Sequence, residues 1–296
     1  MTRIAFQGEP GAYSEKAVRQ FFGEASEAIP CETFSDVFLQ VEKGTAEYGM
    51  IPVENSIAGS VNQSYELLME HDLRIYAEVI FSVHHMLLGI RGTTIEALTC
   101  ARSHPQALSQ CRRYLQKKGI RPQAASDTAS AAHQLAANPD PTMGVIASKD
   151  AAELTGLEIL DQCIEDFTQN YTRFFVLSTE APPRAPRNKT SLIFTTPHHP
   201  GALHECLGEF SVRRISLSKL ESRPRMNRPW QYVFYLDFEG HCQDPECEAA
   251  IIGLLRRSSF VKLLGSYPAA TTPMTDPQQG ATDVQEGGEQ TPCSSS

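Results

Sequence analysis

Asn170-Tyr171-Thr172-Arg173-Phe174 sets an amide, a hydroxyl and a guanidinium where a polar segment runs into the apolar run Phe174-Phe175-Val176-Leu177. Such a run reads as a strand, and side chains at a strand's mouth in open α/β folds face the crevice where ligands bind. The chemistry on offer is hydrogen bonding with one strong positive charge. Arg173 can grip a carboxylate through two parallel N–H bonds. Thr172 has a hydroxyl that is a poor acid by itself but can stabilise or relay a proton to a departing oxygen.

Four further segments carry polar groups at element boundaries. Ile4 to Gln7 followed by Gly8-Glu9-Pro10-Gly11-Ala12-Tyr13-Ser14 reads as strand, glycine turn and helix start, so that Ser14 and the first helical amides can meet an anion. Its glycine spacing is not that of a dinucleotide site. In Pro52-Val53-Glu54-Asn55-Ser56-Ile57-Ala58-Gly59-Ser60-Val61, a strand ends at Val53 and a helix follows Val61, which places Glu54, Asn55 and Ser56 at the strand's carboxyl end. Ser103-His104-Pro105-Gln106-Ala107-Leu108-Ser109-Gln110 follows a strand, and Gln106 and Gln110 lie four apart on one helix face. Asp127-Thr128-Ala129-Ser130 opens a helix whose alanines pack closely.

These segments need a scaffold, and strand-like runs alternate with helical patterns through the first 180 residues of the 296, the mark of an α/β domain. The apolar run from Leu73 to Ile90 is too long for one ordinary strand and is expected to cross between two lobes near Tyr76. Lobe 1 is then about 1–76 with 165–182, lobe 2 about 77–164, and a cleft lies between them. The proline-rich stretch 183–189 reads as a linker. Residues 190–267 follow the order βαββαβ, a ferredoxin-like unit, expected to be detachable. From 268 to 296 the chain has hardly an aliphatic residue and is expected to be a disordered tail.

Composition narrows the function. A net charge of -9 argues against a nucleic-acid or anionic-membrane binder, and no apolar run approaches the length of a membrane span. Met1-Thr2-Arg3 leads straight into the first strand rather than a signal peptide, so the expected compartment is the cytoplasm. The eight cysteines include no Cys-x-x-Cys, and His84-His85 and His198-His199 are neighbours that a strand points to opposite faces, so no metal is expected.

Taken together, Asn-x-Thr-Arg-Phe, Val-Glu-Asn-Ser-x-x-Gly-x-Val and Ser-His-Pro-Gln resemble the motifs of the prephenate dehydratases, and the resemblance spans about residues 3–267. It implies a catalytic domain similar to type II periplasmic binding proteins followed by an ACT regulatory domain. The implied reaction is the decarboxylative dehydration of prephenate to phenylpyruvate on the route to phenylalanine. Aromatisation drives it, so no cofactor is implied. Carried over residue by residue, the catalytic set is Thr172, Asn55, Ser103 and Gln110, with Arg173, Ser56 and Ser14 binding substrate. Pro200-Gly201-Ala202-Leu203 and Leu220-Glu221-Ser222-Arg223-Pro224 resemble the phenylalanine-binding motifs of the ACT domain, which makes L-phenylalanine the implied effector and a homodimer or homotetramer the implied assembly.

Three positions depart from the family pattern: His204, Arg214 with Ser216, and the turn Glu9-Pro10. The first two bear on the effector response. Two rival readings stay open, an arogenate dehydratase and a non-catalytic amino-acid-binding regulatory module; a fused chorismate mutase is not expected, because the first strand begins by Ile4.

Overall fold

The computed structural model describes residues 1–225 and 228–270. Its first part runs β1 (Arg3–Gln7), α1 (Tyr13–Phe22), β2 (Glu27–Cys31), α2 (Phe34–Glu42), β3 (Tyr48–Asn55), β4 (Gly59–Ser60), α3 (Asn62–Glu70) and β5 (Arg74–Ser82). The second runs β6 (Met86–Gly89), β7 (Cys100–Ser103), α4 (Pro105–Gln110), α5 (Arg112–Lys118), β8 (Arg121–Ala124), α6 (Thr128–Ala137), β9 (Met143–Ala147), α7 (Lys149–Thr155) and β10 (Glu158–Asp161). Then follow β11 (Tyr171–Ser178), β12 (Asn188–Thr195), α8 (Ala202–Ser211), β13 (Leu217–Arg225), β14 (Arg228–Glu239), α9 (Pro245–Arg257) and β15 (Phe260–Pro268).

Local chemistry starts and stops these elements. Thr33 and Asp36 form a capping box at α2, Asp127 accepts from the Ser130 amide at α6, and Ser148 accepts from the Ala151 amide at α7. Left-handed Gly119 and Gly156 close α5 and α7.

The described residues form three sheets. The first has the order β2-β1-β3-β11-β5, with β1 parallel to both neighbours and β11 inserted antiparallel between β3 and β5. The second has the order β10-β6-β9-β7-β8. β5 pairs with β11 from Arg74 to Ser82, so the crossing falls at 83–85 rather than near Tyr76. The chain returns beside it, and the Val83 amide donates to the Asn170 carbonyl at 2.8 Å. The two lobes also meet away from this hinge, where the Ser148 hydroxyl donates to the Gly11 carbonyl and a Cβ on Gly11 would lie 2.9 Å from the Ala151 Cα.

The third sheet, β13-β14-β12-β15, is antiparallel throughout and has the expected βαββαβ order. Strand alternation gives it two buried faces. Leu192, Phe194, Phe234, Leu236 and Phe238 pack under α8 and α9, with Cys206, Phe210, Ala250 and Leu254. Ile193, Val233, Tyr235, Leu264 and Tyr267 face the other way and share one core with Ile51, Val53, Tyr65 and Phe175 of the first lobe. The expectation of a detachable unit is corrected by this shared core, because separation would return five large side chains to water at about 1.5–3 kcal/mol each. The tail from 271 onward lies outside the described residues.

Candidate active site

The cleft between the two lobes has a volume of about 450 Å³. Lobe 1 contributes Gln7, Gly8, Tyr13, Ser14, Glu32, Asn55 and Thr172; His85 stands at the hinge; lobe 2 contributes His104, Gln106, Gln110, Ser126 and Asp127. The chain reaches this space at the starts of α1, α2 and α6, whose first-turn amides give it partial positive charge. Among the described residues, no lysine or arginine lines it.

The cleft floor is a hydrogen-bonded set of amides. Asn55 and Thr172 are register partners on β3 and β11, and Asn55 Nδ2 donates to Thr172 Oγ1 at 3.0 Å and to Asn170 Oδ1 at 2.8 Å. Asn55 Oδ1 accepts from the backbone amides of Ile57 and Ala58 at 3.1 and 2.9 Å. Gln110 reaches in from lobe 2, where its Nε2 donates to Asn55 Oδ1 at 3.2 Å and its Oε1 accepts from Asn170 Nδ2 at 3.1 Å. His85 Nε2 lies 2.7 Å from Gln110 Oε1, and His85 Nδ1 lies 2.8 Å from the Tyr13 hydroxyl. Burial pushes the His85 imidazole below its ordinary pKa, against the opposing influence of Gln110 and Glu165, and pushes the Tyr13 phenol well up. Both are neutral near pH 7.

The structure therefore brings four of the sequence-predicted residues, Ser14, Asn55, Gln110 and Thr172, to one cleft. Three others are placed elsewhere. Ser103 is fully buried beneath it and donates to the Ile146 carbonyl at 2.6 Å, holding β7 to β9. Ser56 is exposed and clips the returning chain, donating to the Gln169 carbonyl and accepting from the Tyr171 amide.

Arg173 is the largest correction. Strand alternation turns its side chain away from the cleft and toward the third sheet, where it donates to Glu78 at 2.7 Å, Asp237 at 2.7 Å and the Tyr267 hydroxyl at 3.0 Å. Burial alone would lower the guanidinium pKa, but Asp237, Tyr267 and Glu78 outweigh it and the group stays charged. The register partner of Arg173 is Glu54, whose carboxylate lies 3.7 Å from Arg173 and 3.2 Å from Lys219. Lys219 in turn pairs with Glu221, which also hydrogen-bonds Ser60. One continuous ionic chain thus runs from the back of the cleft strands to β13.

Glu221 and Ser222 lie on β13, and Gly201, with φ at 87°, caps α8 ahead of Ala202 and Leu203. Sequence reasoning missed Tyr13, His85 and Glu32 as cleft residues. Tyr13 carried a signal, since it sits beside the glycine turn; His85 and Glu32 carried none, because only packing of the lobes brings them in. Among the described residues one group has metal-type donors close together, His84, Cys163 and Glu165, within 4.8 Å of one another. His84 and Glu165 already bond each other at 2.8 Å and the other Glu165 oxygen accepts from the His85 amide, so this group braces the hinge.

Comparison with known proteins agrees with the geometry. Residues 4–182 match the family described as prephenate dehydratase. The chain is 41% identical over 284 residues to arogenate dehydratase/prephenate dehydratase 1, chloroplastic, of Arabidopsis thaliana, covering 90% of this chain and 72% of that protein. Among solved structures, prephenate dehydratase from Arthrobacter aurescens in complex with L-Phe superposes with a TM-score of 0.83 at 30% identity, over 96% of this chain and 97% of that one. A protein described as a novel type of quorum-quenching acylase, GqqA, also gives a TM-score of 0.83, at 37% identity over 90% of this chain and 98% of that one. The amide-floored cleft, the matched catalytic region and the extent of these similarities lead to one conclusion: the chain belongs to the prephenate dehydratase family, whose members are hydro-lyases.

Proposed function

We propose that the cleft converts prephenate to phenylpyruvate, with Thr172 at the reacting centre. The ring hydroxyl leaves as water after receiving a proton, the ring carboxylate leaves as carbon dioxide, and the electron pair released closes the aromatic ring. The observation that carries this reading is the placement of the Thr172 hydroxyl on the cleft wall, held from behind by Asn55. Gln110 and Asn55 fix that geometry rather than supply charge, which favours turnover by orientation. Because no lysine or arginine lines the cleft among the described residues, the substrate's carboxylates fall to helix N-termini. The start of α1 suits one of them, since Ala12 provides no side-chain cap and Ser14 adds a hydroxyl. Incubating the protein with prephenate and following phenylpyruvate tests this; absence of product would refute it.

One observation favours arogenate as the substrate. Arogenate bears an ammonium where prephenate bears a ketone, and the exposed Glu32 carboxylate lines the cleft without a hydrogen bond or ion pair among the described residues. Parallel assays with the two substrates decide between them, and Glu32→Gln should lower arogenate turnover selectively if that reading holds.

The third sheet is read as an ACT regulatory domain that binds L-phenylalanine through Gly201, Ala202, Leu203, Glu221 and Ser222. Its βαββαβ order and the open β13 edge, where Leu220 is exposed, support a unit that pairs with another copy in a homodimer or homotetramer. The ionic chain through Glu221, Lys219, Glu54 and Arg173 supplies a physical link to the cleft strands. The cytoplasm remains the proposed compartment; among the described residues no helix is long and apolar enough to cross a membrane.

A further inference from the structure

The direction of every hydrogen bond behind Thr172 is set by two backbone amides. Ile57 and Ala58 can only donate, so the Asn55 oxygen must face them, and its Nδ2 must face Asn170 and Thr172. Asn170 then accepts on its oxygen, and its Nδ2 donates to Gln110 Oε1. Gln110 is fixed in turn, with Nε2 toward Asn55 and Oε1 toward His85. The atom that meets Gln110 Oε1 is His85 Nε2, at 2.7 Å, and it must carry a proton.

We propose that His85 is a positioning residue of the dehydratase, its Nε2–H held toward Gln110 Oε1, and that this polarised chain holds Thr172 as acceptor from Asn55 with its own hydroxyl proton aimed into the cleft. His85 is 2% exposed, and burial lowers its pKa against the opposing influence of Gln110 and Glu165. Its Nδ1 lies 2.8 Å from the Tyr13 oxygen. The Tyr13 hydroxyl donates to the His84 carbonyl at 2.8 Å, which ties the ring's neighbour to the hinge. Asn55 gives the only described side-chain hydrogen bond to Thr172, and it uses the Thr172 oxygen as acceptor. Among the described residues the Thr172 proton meets no other acceptor, and it is available to the leaving hydroxyl.

The inference deepens the dehydratase reading and rests on it, so the experiment separates the two. A long-range proton–nitrogen correlation spectrum of the nitrogen-15-labelled protein reads the tautomer without turnover, with His85→Gln assigning the signal. A protonated Nε2 at pH 7 is expected; a bare Nε2, as in the Nδ1–H tautomer, overturns the relay even in an active enzyme. For kinetics, His85→Asn is too short to reach Gln110 and should lower kcat by about 10²-fold with KM little changed, as expected when a reacting group is misplaced. His85→Gln restores an N–H at the Nε2 position and should recover most of that loss. Equal losses in both variants, or no loss in either, overturn the proposal, whereas undiminished activity in Thr172→Val overturns the reading beneath it.

Discussion

Thr172 and Arg173 are consecutive on β11, yet one side chain lines the interlobe cleft and the other is buried against the third sheet. The two-residue period of a strand does this, and the paired strand β3 repeats it, since Asn55 faces the cleft with Thr172 and Glu54 faces the third sheet with Arg173. Chemistry and linkage therefore occupy opposite faces of the same two strands.

Thr172→Val should leave a folded protein whose kcat has fallen by about 10²–10⁴, the range for loss of a positioned proton donor. The lost hydroxyl makes one bond to Asn55, so the melting temperature should change little. Steady-state kinetics beside a melting curve checks both halves.

Removing the Arg173 guanidinium leaves the buried Asp237 carboxylate without its cation and takes one of two from Glu78, which keeps Lys189. Breaking such a network by deleting one partner costs about 3–5 kcal/mol, and Arg173→Met should therefore show a large loss in urea denaturation. Arg173→Lys keeps the charge but not the fork to three partners and should fall between. Unchanged stability together with a raised KM would return Arg173 to the carboxylate-gripping role that the sequence suggested.

Gly265 holds the third sheet against the first lobe by having no side chain. A Cβ there would lie 2.8 Å from the Ile75 carbonyl oxygen, and its φ of 150° disfavours other residues. Gly265→Val should lower the melting temperature, and truncation after Arg187 should give a protein that aggregates or binds a hydrophobic dye. A soluble, cooperatively melting truncation product would show the shared core to be dispensable.

Acid should weaken the hinge. Burial raises the Glu165 pKa, but the hydrogen bonds from His84 and the His85 amide outweigh it and hold the carboxyl below its usual 4.5. A group depressed in the folded state adds stability that is complete above the unfolded pKa and lost as pH falls through the folded one. His85, depressed from 6.5, has the same sign and acts at higher pH, because the unfolded chain takes up its proton first. Unfolding free energy should fall from about pH 6.5 downward, and Glu165→Gln should flatten the limb below pH 4.5. A pH-independent stability in that range would contradict the hinge network.

Gly201→Val places a β-branched residue at a φ of 87°, and Glu221→Ala cuts the chain of charges at Lys219 and Ser60. Both should blunt inhibition by phenylalanine with little change in kcat, a loss of coupling of about 1–3 kcal/mol. Titration of initial rates with phenylalanine is the measurement; full inhibition in both variants would remove these positions from the effector response.

The sequence by itself determined the elements and much of the cleft. Alternation of strand and helix patterns, the βαββαβ order after residue 190, and the polar residues at strand ends and helix starts are local features. Periodicity and capping record them, and the motif resemblance singled out Asn55, Gln110, Thr172 and Ser14, which the structure brings to one cleft. What only the tertiary structure decided is which way each group faces and what stands behind it. The Asn-x-Thr-Arg-Phe string cannot say that Arg173 lies on the buried side of β11, because that depends on a third sheet docking there with Asp237 and Tyr267, far along the chain. Nor can it say that His85 completes the floor, which requires β5 to continue to Ser82 before the chain crosses and α4 to bring Gln110 to the imidazole. Local pattern fixes the period of side chains along an element, while burial of one face against a distant partner fixes the phase.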